Sequence, residues 1–414
     1  GYHLIVDAGN DDAVAELRRR NRRSGKPFAD MYPDLATLRR HVDVPSFAEP
    51  SLTGTQAPLV LHPRTEAGRT EIAPSVAPDS PYLGVFLPYT PLHALLLDDL
   101  ARPLVATSGN LSDEPIVTDD DVAAGELGAI ADLVVSHDRP IRRPADDSVV
   151  QILSRPRPRP QILRRARGYA PLPLLAPRPL PPVLAVGGQM NGAFAFSRGR
   201  EIVLSQHLGD LDGYEARRTY RRCLDDLLRL YGVEPRIVAH DLHPDYFTTA
   251  VAAERPGTKV AVQHHHAHLA ACLLEHGVED GETLGLTWDG TGDGGDGTVW
   301  GGEILRGTAA ASRRVATLRP FRLPGGETAV KQPWRVALAL LDAAFDGDPP
   351  EDLPPFRAAE PSSVRIVRDL ARRGVHAPTT TSMGRLFDGV AAILGIALVG
   401  TYQACLLYTS DAAD

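Results

Sequence analysis

The sequence predicts an α/β protein with at least two compact domains. Short apolar runs typical of strands alternate with amphipathic stretches typical of helices along most of its 414 residues. That length is well beyond the roughly 100–150 residues of a common single domain. The composition, with 43% hydrophobic and 23% charged residues, is that of a globular chain and excludes wholesale disorder.

The first part of the chain predicts one α/β domain. Its apolar runs predict strands at residues 4–6, 59–61, 83–87, 104–107, 133–135 and 149–153. Apolar residues at helical spacing predict helices over 12–20 and 91–100. Prolines interleaved with arginines over 155–182 then predict a stiff connection or an edge segment. We place the end of the first domain at residue 175.

A second α/β domain is predicted over residues 176–404. Strand-like runs recur at 183–186, 193–197, 237–239, 259–262 and 284–288. Helical spacing is present over 214–231, 269–274 and 386–399. The segment 289–302 is rich in glycine and predicts a hairpin whose backbone closely approaches a ligand.

Charge and cysteine content limit the possible functions. The chain has 44 basic and 52 acidic side chains, and a net charge of −8 argues against nucleic acid as the main partner. Its three cysteines are too few and too widely spaced for a disulfide framework or a cysteine-based zinc site, so we predict a protein of the reducing cytoplasm. No apolar run approaches the roughly 18–20 residues of a membrane span, so we predict no membrane partner. Because the chain starts at Gly1 rather than methionine, we expect a fragment.

Three polar segments of the first domain could bind anionic groups. The basic run 18–27 could clamp phosphate or carboxylate groups, although it could equally be a solvated helix face. The segment 107–112 brings hydroxyl and amide groups to the carboxyl end of a strand, where open α/β sheets bind ligands. An Asn-Gly turn with a serine cap is its alternative interpretation. The segment 142–148 is a weaker candidate beside another strand.

The histidine-rich segment 263–268 predicts a metal site. On a helix, His264 and His268 lie four residues apart on one face, so both imidazoles can hold one ion. Asp289 follows the next strand and could supply an oxygen ligand. Two histidines and a carboxylate with open positions suit Zn²⁺ or Fe²⁺, and the sequence does not choose between them. Surface histidines at a polar helix entry are the alternative.

The hairpin segment 289–298 combines glycines with carboxylates. Backbone amides, including those of Gly290 and Gly292, could cradle phosphate oxygens while the acidic groups hold a cation such as Mg²⁺. A plain glycine-rich hairpin is the alternative. A calcium-binding EF-hand is excluded because the helix-loop-helix spacing and the terminal glutamate are absent.

Eight short motifs follow one another along the chain. They are Lys-Pro-Phe-Ala (26–29), Leu-Pro-Tyr-Thr-Pro-Leu-His (87–93), Thr-Ser-Gly-Asn (107–110), Asp-Asp-Ser-Val-Val (146–150), Arg-Gly-Tyr-Ala-Pro (167–171), Leu-Ser-Gln-His-Leu-Gly-Asp-Leu (204–211), His-Asp-Leu-His-Pro (240–244) and His-His-His-Ala-His (264–268). Taken in this order, the motifs resemble those of the HypF-type carbamoyltransferases of [NiFe]-hydrogenase maturation. The resemblance covers about residues 1–403.

The resemblance implies two activities. Residues 1–175 would form a YrdC-like domain, lacking its N-terminus, that uses ATP to turn carbamoyl phosphate into carbamoyl adenylate. Residues 176–404 would form a C-terminally truncated actin/sugar-kinase-like (Kae-type) domain. This domain would pass the carbamoyl group to the C-terminal cysteine of the partner HypE, where it becomes a cyanide ligand.

The resemblance also implies which residues bind nucleotide, substrate and metal. His264, His268 and Asp289 would hold the metal of the transferase site, and no catalytic residue is assigned. The resemblance also implies that the adenylation pocket is lined by Arg23, Lys26, Ser108, Asn110, Arg142 and Asp146. From the polar and glycine-rich segments themselves, we add four candidate nucleotide- or substrate-binding residues: Thr107, Ser148, Gly290 and Gly292.

Departures from the family pattern leave alternatives open. The acylphosphatase-like and zinc-finger regions are missing, and residues 405–414 look foreign. Asn21 stands where a lysine is usual, and the segment 187–191 reads Gly-Gly-Gln-Met-Asn where the family motif ends in Lys-Asn. The alternatives are a fusion that makes threonylcarbamoyladenosine on tRNA and an inactive, truncated scaffold. A metallohydrolase is disfavoured because no glutamate base separates His264 from His268.

Overall fold

The computed structural model describes residues 1–23, 25–78, 80–111, 114–279 and 281–400. The chain forms two compact units. The first comprises Gly1–Val238 and Val251–Thr258, and the second comprises Ala239–Ala250 and the chain from Lys259 onward. The predicted boundary at residue 175 stays a prediction, and the tail predicted at 405–414 lies outside the described residues.

The N-terminal part of the first unit is a mixed sheet with helices. Its elements are β1 (His3–Asp7), α1 (Asp11–Arg20), β2 (Ala29–Met31), α2 (Leu35–His41), α3 (Glu49–Thr53), β3 (Leu59–Pro63), α4 (Glu66–Thr70), β4 (Tyr82–Phe86), α5 (Pro91–Leu100), β5 (Leu104–Ser108), α6 (Asp120–Glu126), β6 (Val149–Leu153) and β7 (Arg159–Arg164). The strands of this sheet follow the order β1-β5-β2-β4-β3-β6-β7. Pairing is antiparallel between β1 and β5 and parallel between β2 and β4 and between β3 and β6.

The larger core of this part lies on one face of the sheet. Val60, Val85 and Val105 come from three of its strands and are fully buried there. Helix α1 adds Val14 to the same core and begins after Asn10, whose side chain caps the helix. Each buried valine contributes roughly 1.5–3 kcal/mol by leaving water. The alternation of apolar residues thus dictates which strand face is buried.

The strand predicted at residues 133–135 is wrong. The segment is irregular, with Leu133 77% and Val135 63% exposed. A short apolar run becomes a strand only where a partner strand is available. Among the described residues no strand pairs with 133–135, although Val134 packs against the core. The extended segment predicted over 155–182 is confirmed, because β7 pairs with β6 as an edge strand.

The rest of the first unit contains three antiparallel strands and a long helix. These elements are β8 (Pro173–Leu180), β9 (Val183–Ala185), β10 (Ala195–Leu204) and α7 (Tyr214–Tyr231). Strand β10 pairs with both β8 and β9. Helix α7 has the bounds that its apolar spacing predicts and ends at Gly232 in the left-handed conformation.

The chain passes between the two units within three elements. They are β11 (Ile237–Asp241), α8 (Phe247–Glu254) and β12 (Thr258–Val262). The sequence predicted β11 and β12 as strands and left α8 unassigned. The last residue of β11 is the acidic Asp241. The end of β11 therefore belongs to the second unit, where it supplies a residue of the candidate site.

The second unit is built around a hairpin and several helices. Its elements are α9 (His264–Glu275), β13 (Thr283–Asp293), β14 (Val299–Gly307), β15 (Ser312–Thr317), β16 (Phe321–Arg322), α10 (Glu327–Lys331), α11 (Pro333–Ala344), α12 (Pro361–Arg373), β17 (Thr379–Thr380) and α13 (Met383–Ile393). Strands β13 and β14 form the predicted glycine-rich hairpin, with Asp293 opposite Val299. Throughout the described residues, every helix is too short or too polar to cross a membrane.

Candidate functional site

Three side chains of the second unit converge as a candidate metal centre. His264 is the first residue of α9, and His268 follows one turn later on the same face. Asp289 lies in β13, where the pairing with β14 is irregular between Trp288 and Gly292. Imidazole nitrogens of both histidines and a carboxylate oxygen of Asp289 all lie within 4.8 Å of one another. The structure thus brings together the three residues that the sequence predicts as metal ligands.

Charge complementarity dominates this cluster. Nε2 of His264 lies 3.0 Å and Nε2 of His268 3.5 Å from Oδ2 of Asp289. Burial alone would raise the pKa of Asp289, but hydrogen bonds with both histidines hold it well below its usual range. Hydrogen bonds to Asp241 and Asp289 raise the pKa of His264 to about 9. A cation, either a proton or a metal ion, is therefore strongly favoured between these groups.

The donor set fits a divalent metal ion. Oδ2 of Asp289 is buried, and among the described residues no donor other than the imidazoles of His264 and His268 satisfies it. A buried carboxylate oxygen is costly unless a proton donor or a cation satisfies it. His264, His268 and Asp289 are the ligand types that Zn²⁺ and Fe²⁺ share, and both ions accept a site with open positions.

Close packing against α9 explains the glycine in the middle of the irregular strand. A Cβ atom on Gly292 would lie 2.5 Å from Cε1 of His265 and 3.2 Å from Cβ of His264. Gly290 donates its backbone N–H to Oδ1 of Asp289 at 2.6 Å. Ser382, the N-cap of α13, donates its hydroxyl to the carbonyl of Gly290 at 2.7 Å. These contacts position Asp289; a phosphate-binding role of Gly290 and Gly292 stays a prediction.

Two buried carboxylates near this cluster were not found from the sequence. Oδ2 of Asp241 lies 2.7 Å from Nδ1 of His264. Glu303 is fully buried in β14 and accepts hydrogen bonds from the backbone of Gly301 and the hydroxyl of Thr381. The motif at 240–244 was visible in the sequence, but nothing in it indicated which histidine its aspartate contacts.

The first unit brings two of the predicted anion-binding residues together. Nη1 of Arg23, just after α1, lies 3.2 Å from the hydroxyl oxygen of Thr107 at the end of β5. The same guanidinium donates to the backbone carbonyls of Lys26 and Pro27, at 3.1 and 2.6 Å, and lies over the ring of Phe28. The carbonyl of Lys26 thus helps to fix Arg23, while the Lys26 side chain is exposed.

The next two predicted residues lie at the end of β5 and in the loop that follows it. Ser108 is the last residue of β5 and lies opposite His3 of β1. The side-chain amide of Asn110 donates to the carbonyls of Leu111 and Glu114, both at 2.8 Å. Asn110 therefore shapes the loop that follows Ser108.

Of the remaining predicted residues of the first unit, Asp146 and Ser148 are held by protein contacts and Arg142 is exposed. Asp146 accepts a hydrogen bond from Nη1 of Arg164 at 2.8 Å and lies 3.4 Å from Nδ1 of His207. Burial alone would raise the pKa of Asp146, but Arg164 and His207 hold this pKa well below its usual range. The hydroxyl of Ser148 is buried between the backbones of residues 166 and 167, at 2.8 Å from each.

Comparisons with known proteins match three consecutive parts of the chain. Residues 1–166 match the Sua5/YciO/YrdC family, described as telomere recombination. Residues 178–275 match the HypF Kae1-like domain, and residues 285–406 match the second subdomain of the Kae1-like domain of carbamoyltransferases. The fold and the site therefore define a protein that joins a YrdC-like part to a Kae1-like part.

Similar whole proteins identify the family. The chain is 41% identical to the carbamoyltransferase HypF of Synechocystis sp. and 44% identical to that of Rhodobacter capsulatus, over 97% and 96% of its length. It covers 54% and 53% of those relatives. The chain belongs to the HypF family of carbamoyltransferases and spans about half the length of the curated relatives it matches.

Solved structures agree with this assignment. A full-length HypF in its phosphate- and nucleotide-bound form superposes with a TM-score of 0.93 at 37% identity, covering 99% of this chain and 53% of that one. HypF of T. kodakarensis superposes with a TM-score of 0.90 at 30% identity, covering 98% and 54%. The predicted α/β fold with YrdC-like and Kae1-like parts is confirmed.

Proposed function

We propose that the chain carries out two steps of a carbamoyltransferase reaction in [NiFe]-hydrogenase maturation. Residues 1–175, with Mg²⁺, hydrolyse carbamoyl phosphate with one water to carbamate and phosphate. An oxygen of the carbamate then attacks the α-phosphorus of ATP, which forms carbamoyl adenylate and releases pyrophosphate. Residues 176–404 then transfer the carbamoyl group to the C-terminal cysteine of HypE in the cytoplasm, for synthesis of cyanide ligands. Family membership supports this proposal, as does the nucleotide and phosphate bound to the full-length relative.

The guanidinium of Arg23 at the end of β5 suits adenylate formation. The reaction is dominated by positioning ATP and neutralising its phosphate charge, so it needs fixed donors rather than a nucleophilic side chain. Arg23 is fixed by the carbonyls of Lys26 and Pro27 and reaches Thr107, which places a guanidinium beside the strand end. Ser108 follows directly on that strand.

The histidine cluster suits the transfer step. His264, His268 and Asp289 would hold the divalent ion, which when bound would polarise the carbamoyl oxygen toward attack by a thiolate. The buried Asp289 keeps its negative charge, because its pKa is held low by the two histidines. The hydrogen bond from Ser382 to the carbonyl of Gly290 keeps that carboxylate in place.

The observation that carries the adenylation proposal is the contact between Arg23 and Thr107 at the end of β5. Its test is exchange of radiolabelled pyrophosphate into ATP by the 414-residue chain. The substrate is supplied as carbamoyl phosphate and, separately, as ammonium carbamate, which bypasses release of phosphate. We expect exchange that depends on carbamoyl phosphate. Exchange with ammonium carbamate alone would support the adenylation step but contradict the release of phosphate by residues 1–175.

The other outcomes separate the alternatives. Exchange that depends on threonine and bicarbonate would favour synthesis of threonylcarbamoyladenosine. A chain that is folded by circular dichroism and shows no exchange with any substrate would contradict the adenylation step. Transfer is tested separately, by mass spectrometry of a HypE C-terminal peptide incubated with chemically prepared carbamoyl adenylate.

A further inference from the structure

We infer that Asp241 is a positioning residue that fixes the metal-binding orientation of His264. The inference rests on the proposed metal centre, and it concerns a residue outside the three candidate ligands. Asp241 ends β11, and its side chain is only 7% exposed. A buried carboxylate at this place needs partners for both oxygens, and the structure supplies two different ones.

The first oxygen of Asp241 is held by the turn that follows β11. Oδ1 accepts the backbone N–H of His243 at 2.9 Å, which is the hydrogen bond of an Asx turn. Thr249 donates its hydroxyl to the carbonyl of His243 at 2.8 Å and steadies the same turn. The backbone contacts of this turn therefore fix the plane of the Asp241 carboxylate independently of His264.

The second oxygen meets His264 on the side away from Asp289. Oδ2 of Asp241 lies 2.7 Å from Nδ1, a distance typical of charge-assisted hydrogen bonds. With a proton retained on Nδ1, the lone pair of Nε2 faces Asp289 at 3.0 Å. Nδ1 and Nε2 point to opposite sides of the imidazole ring, so Asp241 lies behind the ligand rather than on the ion. Such carboxylate–histidine pairs fix the tautomer and increase the basicity of the ligand nitrogen.

The two histidines differ in how firmly they are held. The side chain of His264 is 25% exposed and has a carboxylate at each ring nitrogen. The side chain of His268 is 53% exposed and approaches Asp289 at 3.5 Å. Asp241 thus sets the orientation of the more buried ligand, and we expect metal affinity to depend on Asp241 even though it does not touch the ion.

Two substitutions distinguish the contact of Asp241 with His264 from its hydrogen bond to the turn at His243. Asp241→Asn is isosteric and removes the charge, but one amide cannot accept from both His243 and His264. Asp241→Ser is shorter: its hydroxyl can still cap the turn at His243 but cannot reach His264. Asp245→Asn is the matched control, since Asp245 is exposed in the same loop and loses the same charge.

The measurement is Zn²⁺ affinity of the full chain by competition with a chromophoric chelator. We expect both Asp241 variants to bind Zn²⁺ roughly 10–100-fold more weakly at unchanged stoichiometry, with Asp245→Asn within about twofold of the parent. In the Zn²⁺-loaded parent we also expect a downfield, slowly exchanging Nδ1–H resonance of His264 in proton–nitrogen NMR spectra. That resonance should shift or broaden in both Asp241 variants only.

The possible failures are distinguishable. A folded Asp241→Ser variant with parental Zn²⁺ affinity and an unchanged His264 resonance would overturn the positioning role while leaving the metal centre intact. If Asp241→Asn does not fold, Asp241→Ser alone decides. A parent chain that binds no Zn²⁺ and no Fe²⁺ would overturn the metal centre itself, and the positioning role with it.

Discussion

Nε2 of His264, at the start of α9, lies 3.0 Å from Oδ2 of Asp289, in the irregular part of β13. One element contributes a nitrogen ligand and the other an oxygen ligand, so the site exists only when helix and hairpin pack correctly. Gly292 permits this packing, because any side chain there would collide with His265. The candidate metal centre is thus coupled to the fold of the second unit, and if these residues bind a metal ion, we expect the ion to stabilise that unit.

Removal of either histidine should abolish stoichiometric metal binding. We expect His264→Ala and His268→Ala to reduce bound Zn²⁺ from about one ion per chain to near zero, because two remaining ligands hold the ion too weakly. Bound metal is measured by atomic emission after gel filtration. His266→Ala is the control, since Nε2 of His266 lies 3.0 Å from the carbonyl of Thr308 instead. Retention of one ion by both ligand variants would contradict the site.

Arg23 provides the test of the adenylation residues. We expect Arg23→Ala to reduce pyrophosphate exchange by at least roughly 100-fold, the loss typical of one preorganised charge donor. Arg19→Ala removes the same charge from the end of α1, where Arg19 is 72% exposed and pairs with Glu16. Equal exchange by the two variants, both with the parental circular dichroism spectrum, would remove Arg23 from the site.

The grouping of the three candidate metal ligands could be predicted from the sequence because helical spacing places two of them on one face. His264 and His268 must share a face on any helix, and Asp289 follows the next strand. The partner of His264 on its other nitrogen could not be predicted, because the contact joins the end of β11 to α9 and depends on tertiary packing. The same reason applies to Ser148, whose buried hydroxyl bonds to the backbone of Arg167.

Regular elements were predictable where a local signal agreed with the tertiary environment. The apolar spacing of α7 and the glycine that ends it gave its bounds. The apolar run 133–135 lacked such agreement: it has strand propensity but no partner strand, and Leu133 remains exposed. Apolar character therefore predicts a strand only together with a buried face.

Gly168 should be intolerant of any side chain. Its φ of +86° is unfavourable for other residues, and a Cβ atom would fall on the carbonyl oxygen of Gln56. We expect Gly168→Ala to lower the free energy of unfolding by on the order of 3 kcal/mol. Gly125→Ala, in helix α6 with open space around the position, should instead raise it by about 0.5–1 kcal/mol. Urea unfolding followed by circular dichroism measures both, and equal effects would contradict the packing argument.

His62 should make the first unit sensitive to acid. It lies fully buried in β3, opposite Leu83 of β4, and burial lowers its pKa to about 4. An unfolded histidine has a pKa of about 6.5, so between these values the unfolded state binds a proton that the folded state refuses. The free energy of unfolding should therefore fall as the pH decreases from about 6.5 to 4, by about 2–3 kcal/mol from this residue. We expect His62→Leu to flatten that decrease in urea titrations between pH 7.5 and 4.5, and substitution of the exposed His137 by leucine to leave it unchanged. A decrease of the same slope in the His62→Leu variant would show that another group is responsible.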